Sequence, residues 1–200
     1  MKNIRRLREF VIAMTRLAER HGRDELVMLR EASPLLVALI AHDDWLPEAF
    51  AAPHRAHHQE YLLHCDPFGR FAVVSLVLAP GQKTPLHDHT VWCLMGVLRG
   101  TEQFDEYRHE GEGVPMQKTG EHLCRTGDVD VASPTVGDIH VISNPQQAHA
   151  AVSINVFGAN IGALMRRTYS LATGEQHALV SGYANNVLPN LWDRSLEAHA

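Results

Sequence analysis

The sequence has few of the features that mark secreted, membrane or nucleic-acid-binding proteins. It contains three cysteines, Cys65, Cys93 and Cys124, whose odd number and wide spacing argue against a disulfide framework and a cysteine-based zinc site. No run approaches the roughly 20 apolar residues of a membrane span, and no apolar stretch follows the charged first residues as in a signal peptide. Lysine and arginine form no large cluster and the formal charge is −5, so no nucleic-acid partner is predicted.

We therefore expect a cytoplasmic protein with reduced thiols that does not bind membranes and whose partners are small molecules or proteins. Its composition, 45% hydrophobic and 20% charged over 200 residues, suits one core of ordinary size. We predict one domain over residues 1–200, with a helical part to about residue 42, a β-barrel from about 58 to 172 and an irregular tail. The sequence makes no prediction about the oligomeric state.

Two amphipathic helices are predicted before the β region. Apolar residues recur at helical spacing from about residue 4 to 20, and Gly22 supplies a stop. Asp24 suits the N-cap of a second helix that runs through Leu39, with a break near Pro34, where the proline ring removes a backbone hydrogen bond. Both helices are expected to pack on the outside of the β part.

From about residue 60 the sequence takes on a β pattern. Short apolar runs alternate with turns that contain glycine and proline, which is typical of a sandwich or barrel and predicts a mainly β fold. The predicted strands cover about residues 60–65, 71–79, 86–98, 102–108, 121–124, 128–132, 138–143, 150–157 and 165–170.

His87 and His89 stand at the start of the predicted strand 86–98. Residues i and i+2 of a strand share a face, so these two imidazoles can hold one metal ion while Asp88 points away. A lone His-x-His pair is weak evidence in a chain with 14 histidines. Its place at the end of a strand in an all-β pattern is where a barrel mouth would put a ligand site. A metal held by this pair needs at least one further ligand.

A second stretch, 127–144, completes a resemblance to known proteins. Residues 81–100 and 127–144 together resemble the two cupin motifs, although the spacing of the second differs by one residue in two places. The resemblance implies a cupin barrel, that is, a double-stranded β-helix or jelly roll. It also implies that the metal is held by His87, His89 and His140.

The fourth ligand position of the first motif, a glutamate in many cupins, is Cys93 here. Three neutral imidazoles would leave up to three adjacent positions open on an octahedral Fe(II). Zinc also accepts three histidines, so a hydrolytic role stays open. His149 is an alternative ligand near the strand that contains Ser153 and Asn155, but the Gly-x-x-His frame of the second motif favours His140.

The resemblance narrows to the bacterial thiol dioxygenases, in particular the 3-mercaptopropionate dioxygenases, which are cousins of cysteine dioxygenase. It covers most of the chain, including the two helices. The residues that carry it are 85–100, the Gly-Asp-x-His of the second motif, the Gly-Ala-Asn-Ile-Gly segment 158–162, and the tail from 181 to Asp193. The resemblance implies an Fe(II) enzyme that uses O₂ to oxidise a small thiol to a sulfinate.

In these enzymes an arginine binds the carboxylate of the substrate, and by alignment it is Arg166. Arginine suits a planar, bidentate contact with a carboxylate. Arg167 has the opposite strand parity and is expected to be solvated. Glu60 stands where the mercaptopropionate enzymes have glutamine and cysteine dioxygenases have arginine. In the pocket it would favour a cationic group of the substrate; the alternative is that it faces solvent.

The family usually carries a Ser-x-His-x-Tyr relay beside the iron. The aligned residues here are Ser153, Asn155 and Phe157, which share one strand face and are expected beside the site together with Cys93 and Trp92. Phe157 has no hydroxyl, so no Cys–Tyr thioether of the kind found in animal cysteine dioxygenases is expected.

Two functions remain as alternatives. The first is an Fe(II) thiol dioxygenase that acts on a small carboxylate-bearing thiol, either 3-mercaptopropionate or a bulkier thiol with an amine or a thio-imidazole. The second is a metal-binding cupin without this oxygen chemistry, because the relay tyrosine is missing.

Overall fold

The computed structural model describes residues 4–22 and 24–192. Asp193, the last residue of the tail motif, lies outside the described residues. The helices are α1 (Arg5–His21) and α2 (Glu25–Ile40). The strands are β1 (Gln59–Cys65), β2 (Ala72–Leu78), β3 (Cys93–Arg99), β4 (Thr101–Arg108), β5 (Gln117–Arg125), β6 (Val129–Ala132), β7 (His140–Ser143), β8 (Ala151–Phe157), β9 (Arg166–Tyr169) and β10 (Gln176–Leu179).

Both helices lie close to their predicted positions. The carboxylate of Asp24 accepts a hydrogen bond from the backbone N–H of Val27 at 3.1 Å, which confirms the predicted N-cap. The predicted break at Pro34 is wrong, because α2 continues through it. Burial of Leu36 and Leu39 on the sheet offsets the cost of the proline, about 3 kcal/mol in a helix interior. No helix in the described part of the chain is long and apolar enough to span a membrane.

The strands pair antiparallel in two layers. One layer is a five-stranded sheet in the order β1-β2-β8-β3-β6, and the other holds the sheets β5-β4-β7 and β10-β9. Residues 83–88 join the two smaller sheets through isolated bridges from His87 to His140 on β7 and to Thr168 on β9. The fold is therefore mainly β, an antiparallel jelly-roll arrangement preceded by two helices, as predicted.

The core has an outer and an inner part. The outer part lies between the helices and the five-stranded sheet, so the helices pack outside the β part as expected. At Gly96 on β3 a Cβ would lie 3.0 Å from the side chains of Leu36 and Ile40, and glycine therefore allows α2 to approach the sheet closely. The inner part lies between the layers and includes Met95 and Phe104.

The strand predictions fail chiefly at residues 86–98. The strand β3 begins only at Cys93, and residues 86–92 form a connection in which His87 makes isolated bridges. Thr90 has a φ of 62°, in the left-handed region that a strand residue does not adopt. The strand β10 was not predicted, because its side chains are partly or fully exposed and show no apolar alternation.

Candidate metal centre

Three histidines meet between the two layers of strands. His87, His89 and His140 are 4%, 2% and 4% exposed, respectively. Their ring centroids lie 4.7–5.0 Å apart and their planes are inclined by 63° to 72°. Within the described residues they are a group of potential metal ligands whose donor atoms all lie within 4.8 Å of one another. The structure thus brings together the three residues that the motifs singled out.

The backbone places His87 directly beside His140. The N–H of His87 donates to the carbonyl of His140 at 3.2 Å, and the N–H of His140 donates to the carbonyl of His87 at 3.0 Å. His89 reaches the same group because the chain turns at Thr90. The two motifs therefore meet through a backbone bridge and a turn rather than through a continuous strand.

Two aspartates hold the turn in place. Asp88 points away from the triad, as predicted, and its buried carboxylate accepts from the backbone N–H and Nε of Arg167 at 2.9 and 2.8 Å and from the hydroxyl of Tyr169 at 2.8 Å. The carboxylate of Asp138 accepts from the backbone N–H of His89 at 3.0 Å and from the next N–H at 2.7 Å. The loop is thereby attached to β9 on one side and to the second motif on the other.

The environment keeps the three imidazoles neutral. Burial is the main cause that lowers the pKa of each ring, and neighbouring cations or imidazoles lower it further; the pKa of His140 falls to about 4. The Nδ1 of His87 lies 2.9 Å from the carbonyl of Pro85 and donates to it. The proton of the neutral ring is then on Nδ1, and Nε2 keeps a free lone pair. Neutral imidazole is the form that binds a metal.

The donor set fits a metal ion. The Nε2 atoms of His87 and His89 face each other at 3.2 Å, and the Nε2 of His140 is buried without a hydrogen-bond partner. Two nitrogens bonded to one metal at right angles and at about 2.1 Å lie about 3 Å apart. Three imidazoles suit iron, zinc, copper and nickel.

A cavity of about 510 Å³ reaches the triad at His87. Both predicted substrate residues, Arg166 and Glu60, lie in its wall. Three histidines from the segment before β1, two of them exposed and one half-buried, also line it. The lining residues are His54, His57, His58, Gln59, Glu60, Thr84, Pro85, His87, Arg166, Leu179, Ser181, Gly182, Tyr183 and Ala184.

The two arginines of β9 have different surroundings. Arg166 is 3% exposed; its Nη2 donates to the Oγ of Ser181 at 2.9 Å and lies 3.5 Å from an oxygen of Glu60. The side chain of Arg167 is 50% exposed and pairs with Asp88. The opposite strand parity of the two residues therefore has the expected result, with Arg166 facing the cavity.

Ser153, Asn155 and Phe157 lie in a row on the inner face of β8, as the alternation predicted. The ring of Phe157 contacts His89 edge to face, with centroids 5.0 Å apart. Ser153 and Asn155 lie deeper, and the Oγ of the first and the Oδ1 of the second are buried without hydrogen-bond partners. An aromatic ring without a hydroxyl group thus stands beside the triad.

Cys93 and Trp92 lie on opposite sides of the five-stranded sheet. Cys93 is opposite Phe157 in the register of β3 and β8 and belongs to the inner core, where burial raises the pKa of its thiol. The placement of Trp92 in the pocket is wrong, since it packs in the outer core. A Cβ at Gly158 would lie 2.5 Å from the indole nitrogen of Trp92, which shows how closely the indole packs on the chain there.

The intact mass of the purified protein is expected to equal its sequence mass. Cys93 faces Phe157, which lacks the hydroxyl that activates a tyrosine ring toward thioether formation. Mass spectrometry of the denatured protein and of a Cys93→Ser variant checks this. A deficit of two hydrogens in the native chain that the variant lacks would show that a tyrosine is crosslinked to Cys93.

The chain resembles cupins of known structure, although no protein-family model matches it. It is similar to a conserved protein with a double-stranded β-helix domain from Klebsiella pneumoniae, at 17% identity over 57% of this chain and 88% of that one, with a TM-score of 0.45. A cupin 2 conserved barrel domain protein from Salinispora arenicola matches at 18% identity over 57% and 86%, with a TM-score of 0.42.

Oxalate oxidase in complex with the substrate analogue glycolate is also similar, at 18% identity over 55% of each chain, with a TM-score of 0.43. At these identities and TM-scores, none of the three similarities carries an argument about the activity of this chain. The strand order defines the fold, and the geometry of the three histidines defines the candidate site.

The tail supplies cavity residues that the sequence pattern did not assign. The hydroxyl of Ser181 accepts a hydrogen bond from the guanidinium of Arg166 in the cavity wall. The hydroxyl of Tyr183 accepts from the N–H of Gly162 at 3.0 Å and donates to the Oδ1 of Asn160 at 2.6 Å. A Cβ at Gly162 would lie 2.5 Å from the ring of Tyr183. The sequence resemblance already included both parts of this contact, the Gly-Ala-Asn-Ile-Gly segment and the tail, but it did not show that they pack together.

Glu102 on β4 was missed altogether. It is fully buried, and neither carboxyl oxygen has a hydrogen-bond partner of normal geometry. Burial raises its pKa to about 8, although the nearby Ser153 hydroxyl lowers it somewhat. Nothing in the alternation of β4 marks Glu102 as buried except that it shares a face with Phe104. The carboxyl is therefore mostly protonated at pH 7.

Replacing Glu102 with glutamine should stabilise the protein at pH 8 but have little effect at pH 5. Because the folded-state pKa of about 8 exceeds the ordinary value of 4.5, the stability that this group contributes is full below pH 4.5 and is lost as the pH rises to 8. The loss between these limits is on the order of 3–4 kcal/mol. Urea unfolding of the wild type and of Glu102→Gln at pH 5 and pH 8 measures this loss of stability. The exposed Glu112→Gln variant is the control. Parallel pH dependences for wild type and Glu102→Gln would contradict the prediction.

Proposed function

We propose that this chain is a non-haem iron thiol dioxygenase that converts a small carboxylate-bearing thiol to its sulfinate with O₂. The observation that carries the proposal is the presence of a buried arginine, Arg166, in the wall of the cavity that reaches the triad at His87. A substrate with a thiol at one end and a carboxylate at the other matches these two groups. The neutral, three-histidine donor set is compatible with iron.

His87, His89 and His140 would hold the metal through their Nε2 atoms. When bound by these three neutral ligands, Fe(II) would keep its full charge and would supply binding sites for a thiolate and for O₂. The hydrogen bond from the Nδ1 of His87 to Pro85 fixes the orientation of that ring.

The remaining residues orient the substrate and exclude water. Ser181 holds the guanidinium of Arg166, whose planar fork suits two parallel hydrogen bonds to a carboxylate. Phe157 packs against His89 and closes the inner side of the centre with an apolar ring. The substrate would therefore enter from the side of Arg166 and present its sulfur to the face of the triad at His87.

A metal-binding cupin without this oxygen chemistry is the second candidate. Phe157 favours it, because a relay hydroxyl beside the metal is missing. Tyr183 does not replace that hydroxyl, since its oxygen is already bonded to Asn160 and Gly162.

Oxygen consumption by the reconstituted protein tests the two candidates. Protein loaded anaerobically with Fe(II) is mixed with O₂ and a thiol panel that includes 3-mercaptopropionate, cysteine and the carboxylate-free 2-mercaptoethanol. We expect O₂ uptake and a sulfinate product with the carboxylate-bearing thiols, and none with zinc-loaded protein. Iron-loaded protein that binds thiols but consumes no O₂ would favour the second candidate.

A further inference from the structure

The pair formed by Arg166 and Glu60 is not an ordinary structural ion pair. Their side chains are 3% and 15% exposed, and the nearest atoms are 3.5 Å apart. Elsewhere in the chain, Arg70 and Asp66 form two short contacts of 2.7 and 2.8 Å. A charged pair that served only stability would be expected to form at least one short contact of this kind. The contact between Arg166 and Glu60 is long and single.

Both members of this pair also keep a buried polar atom without a partner. The Nε of Arg166 and the Oε2 of Glu60 are buried and make no hydrogen bond, while the single short bond of Arg166 goes to Ser181. A buried polar group without a hydrogen-bond partner destabilises the fold, and a charged one does so more strongly. Two neighbouring residues of the cavity wall thus present a free donor atom, on Arg166, and a free acceptor atom, on Glu60.

We propose that Glu60 is a specificity-determining residue that accepts a cationic nitrogen of the substrate, beside the carboxylate that Arg166 binds. This inference rests on the function proposed above and narrows its substrate class to zwitterionic thiols. A carboxylate alone would satisfy Arg166 but would meet the negative charge of Glu60 at short range. A ligand that carries both charges satisfies both residues.

The spacing indicates where the two charges lie on the ligand. When an amino group and a carboxyl group share one carbon, the nitrogen and the carboxyl carbon are about 2.5 Å apart. This separation is compatible with adjacent binding groups that are 3.5 Å apart. Cavities of about 300–1,000 Å³ usually hold ligands much larger than a three-carbon acid, and this one has about 510 Å³. The two charges of the substrate therefore lie on one head group, as in an amino acid or a betaine, and the cavity leaves room for a larger body.

A matched pair of thiols tests the role of Glu60. Cysteine and 3-mercaptopropionate differ only in the ammonium group, and the N-trimethylated cysteine betaine shows whether N–H donors are needed. For iron-loaded wild type we expect kcat/KM to favour the cationic thiols by about ten-fold or more, which corresponds to one charged contact. Glu60→Gln should reduce this ratio to near one, chiefly by raising kcat/KM for 3-mercaptopropionate. Glu60→Asp, which keeps the charge, should retain most of the ratio.

The exposed Glu112→Gln variant makes the same chemical change outside the cavity and should leave the ratio as in wild type. An unchanged ratio in folded Glu60→Gln, or a wild-type ratio near one, would overturn the proposal. If Glu60→Gln does not fold, the ratios of wild type and Glu60→Asp decide.

Anaerobic calorimetry separates this inference from the proposed function. Iron-loaded wild type is titrated with the same thiols and with alanine and propionate, which lack sulfur. A preference for the cationic members without any O₂ uptake would refute the dioxygenase and support the role of Glu60. O₂ uptake without a cation preference in either assay would support the dioxygenase and refute the role of Glu60.

Discussion

His140→Ala is expected to abolish tight metal binding, with a loss of affinity greater than the roughly 10- to 100-fold that follows removal of a residue that only supports a ligand. His140 supplies a buried nitrogen without a hydrogen-bond partner, within 4.8 Å of the donor atoms of His87 and His89. Its loss leaves two ligands and a cavity in place of the third ring. The metal content per chain after dialysis against a weak chelator, measured by inductively coupled plasma mass spectrometry, checks the result.

His149→Ala is the matched control, because His149 was the alternative to His140 as the third ligand in the sequence analysis. His149 is exposed, and its carbonyl rather than its ring takes part in the turn, where it accepts from Asn144 at 2.8 Å. Its replacement should leave the metal content at the wild-type value. Equal losses of metal in the two variants would overturn the assignment of the triad.

Arg166→Ala should lower kcat/KM for carboxylate-bearing thiols by about 10- to 100-fold, since a hydrogen bond to a charged group contributes roughly 1.5–3 kcal/mol. The loss should be much smaller for 2-mercaptoethanol, which has no carboxylate. Arg166→Lys keeps the charge but not the planar fork and should recover only part of the loss. Initial rates of O₂ uptake over a range of substrate concentrations provide these values.

The exposed Arg125→Ala variant controls for removal of a positive charge from the surface and should retain wild-type kinetics. A similar loss with 2-mercaptoethanol and with 3-mercaptopropionate would mean that Arg166 supports the fold of the cavity wall rather than the carboxylate. Circular dichroism and thermal melts of the variants are needed for that comparison.

Periodicity and capping chemistry were sufficient to predict the helices and most of the strands. Asp24 is a clear N-cap, and the inner face of β8 follows from simple alternation. Pro34 misled the prediction because a local preference competes with burial of the helix face, and the sequence around Pro34 does not show the sheet on which α2 packs.

The site depends more on long-range contacts. The motifs singled out His87, His89 and His140, but the local reason given for the first two, a continuous strand, was incorrect. The turn at Thr90 exists because Asp88 and Asp138 bond to distant backbone groups, and neither partner can be read from neighbouring residues.

The side of the sheet that a residue faces was also hard to predict near the ends of strands. Trp92 precedes β3 by one residue and turns toward the helices, whereas Cys93 turns inward. Glu102 escaped notice because a glutamate in an alternating strand is ordinarily placed on the solvent side. Its burial follows from the register of β4 rather than from its own residue type.

Oxidation of 3-mercaptopropionate or cysteine by iron-loaded protein under isotopically heavy O₂ tests the central proposal most directly. We expect a sulfinate in which both new oxygen atoms carry the heavy isotope, with one O₂ consumed per product and no reaction in the His140→Ala variant. A product oxygen that comes from water, a disulfide with peroxide in place of the sulfinate, or no consumption of O₂ at all would contradict it.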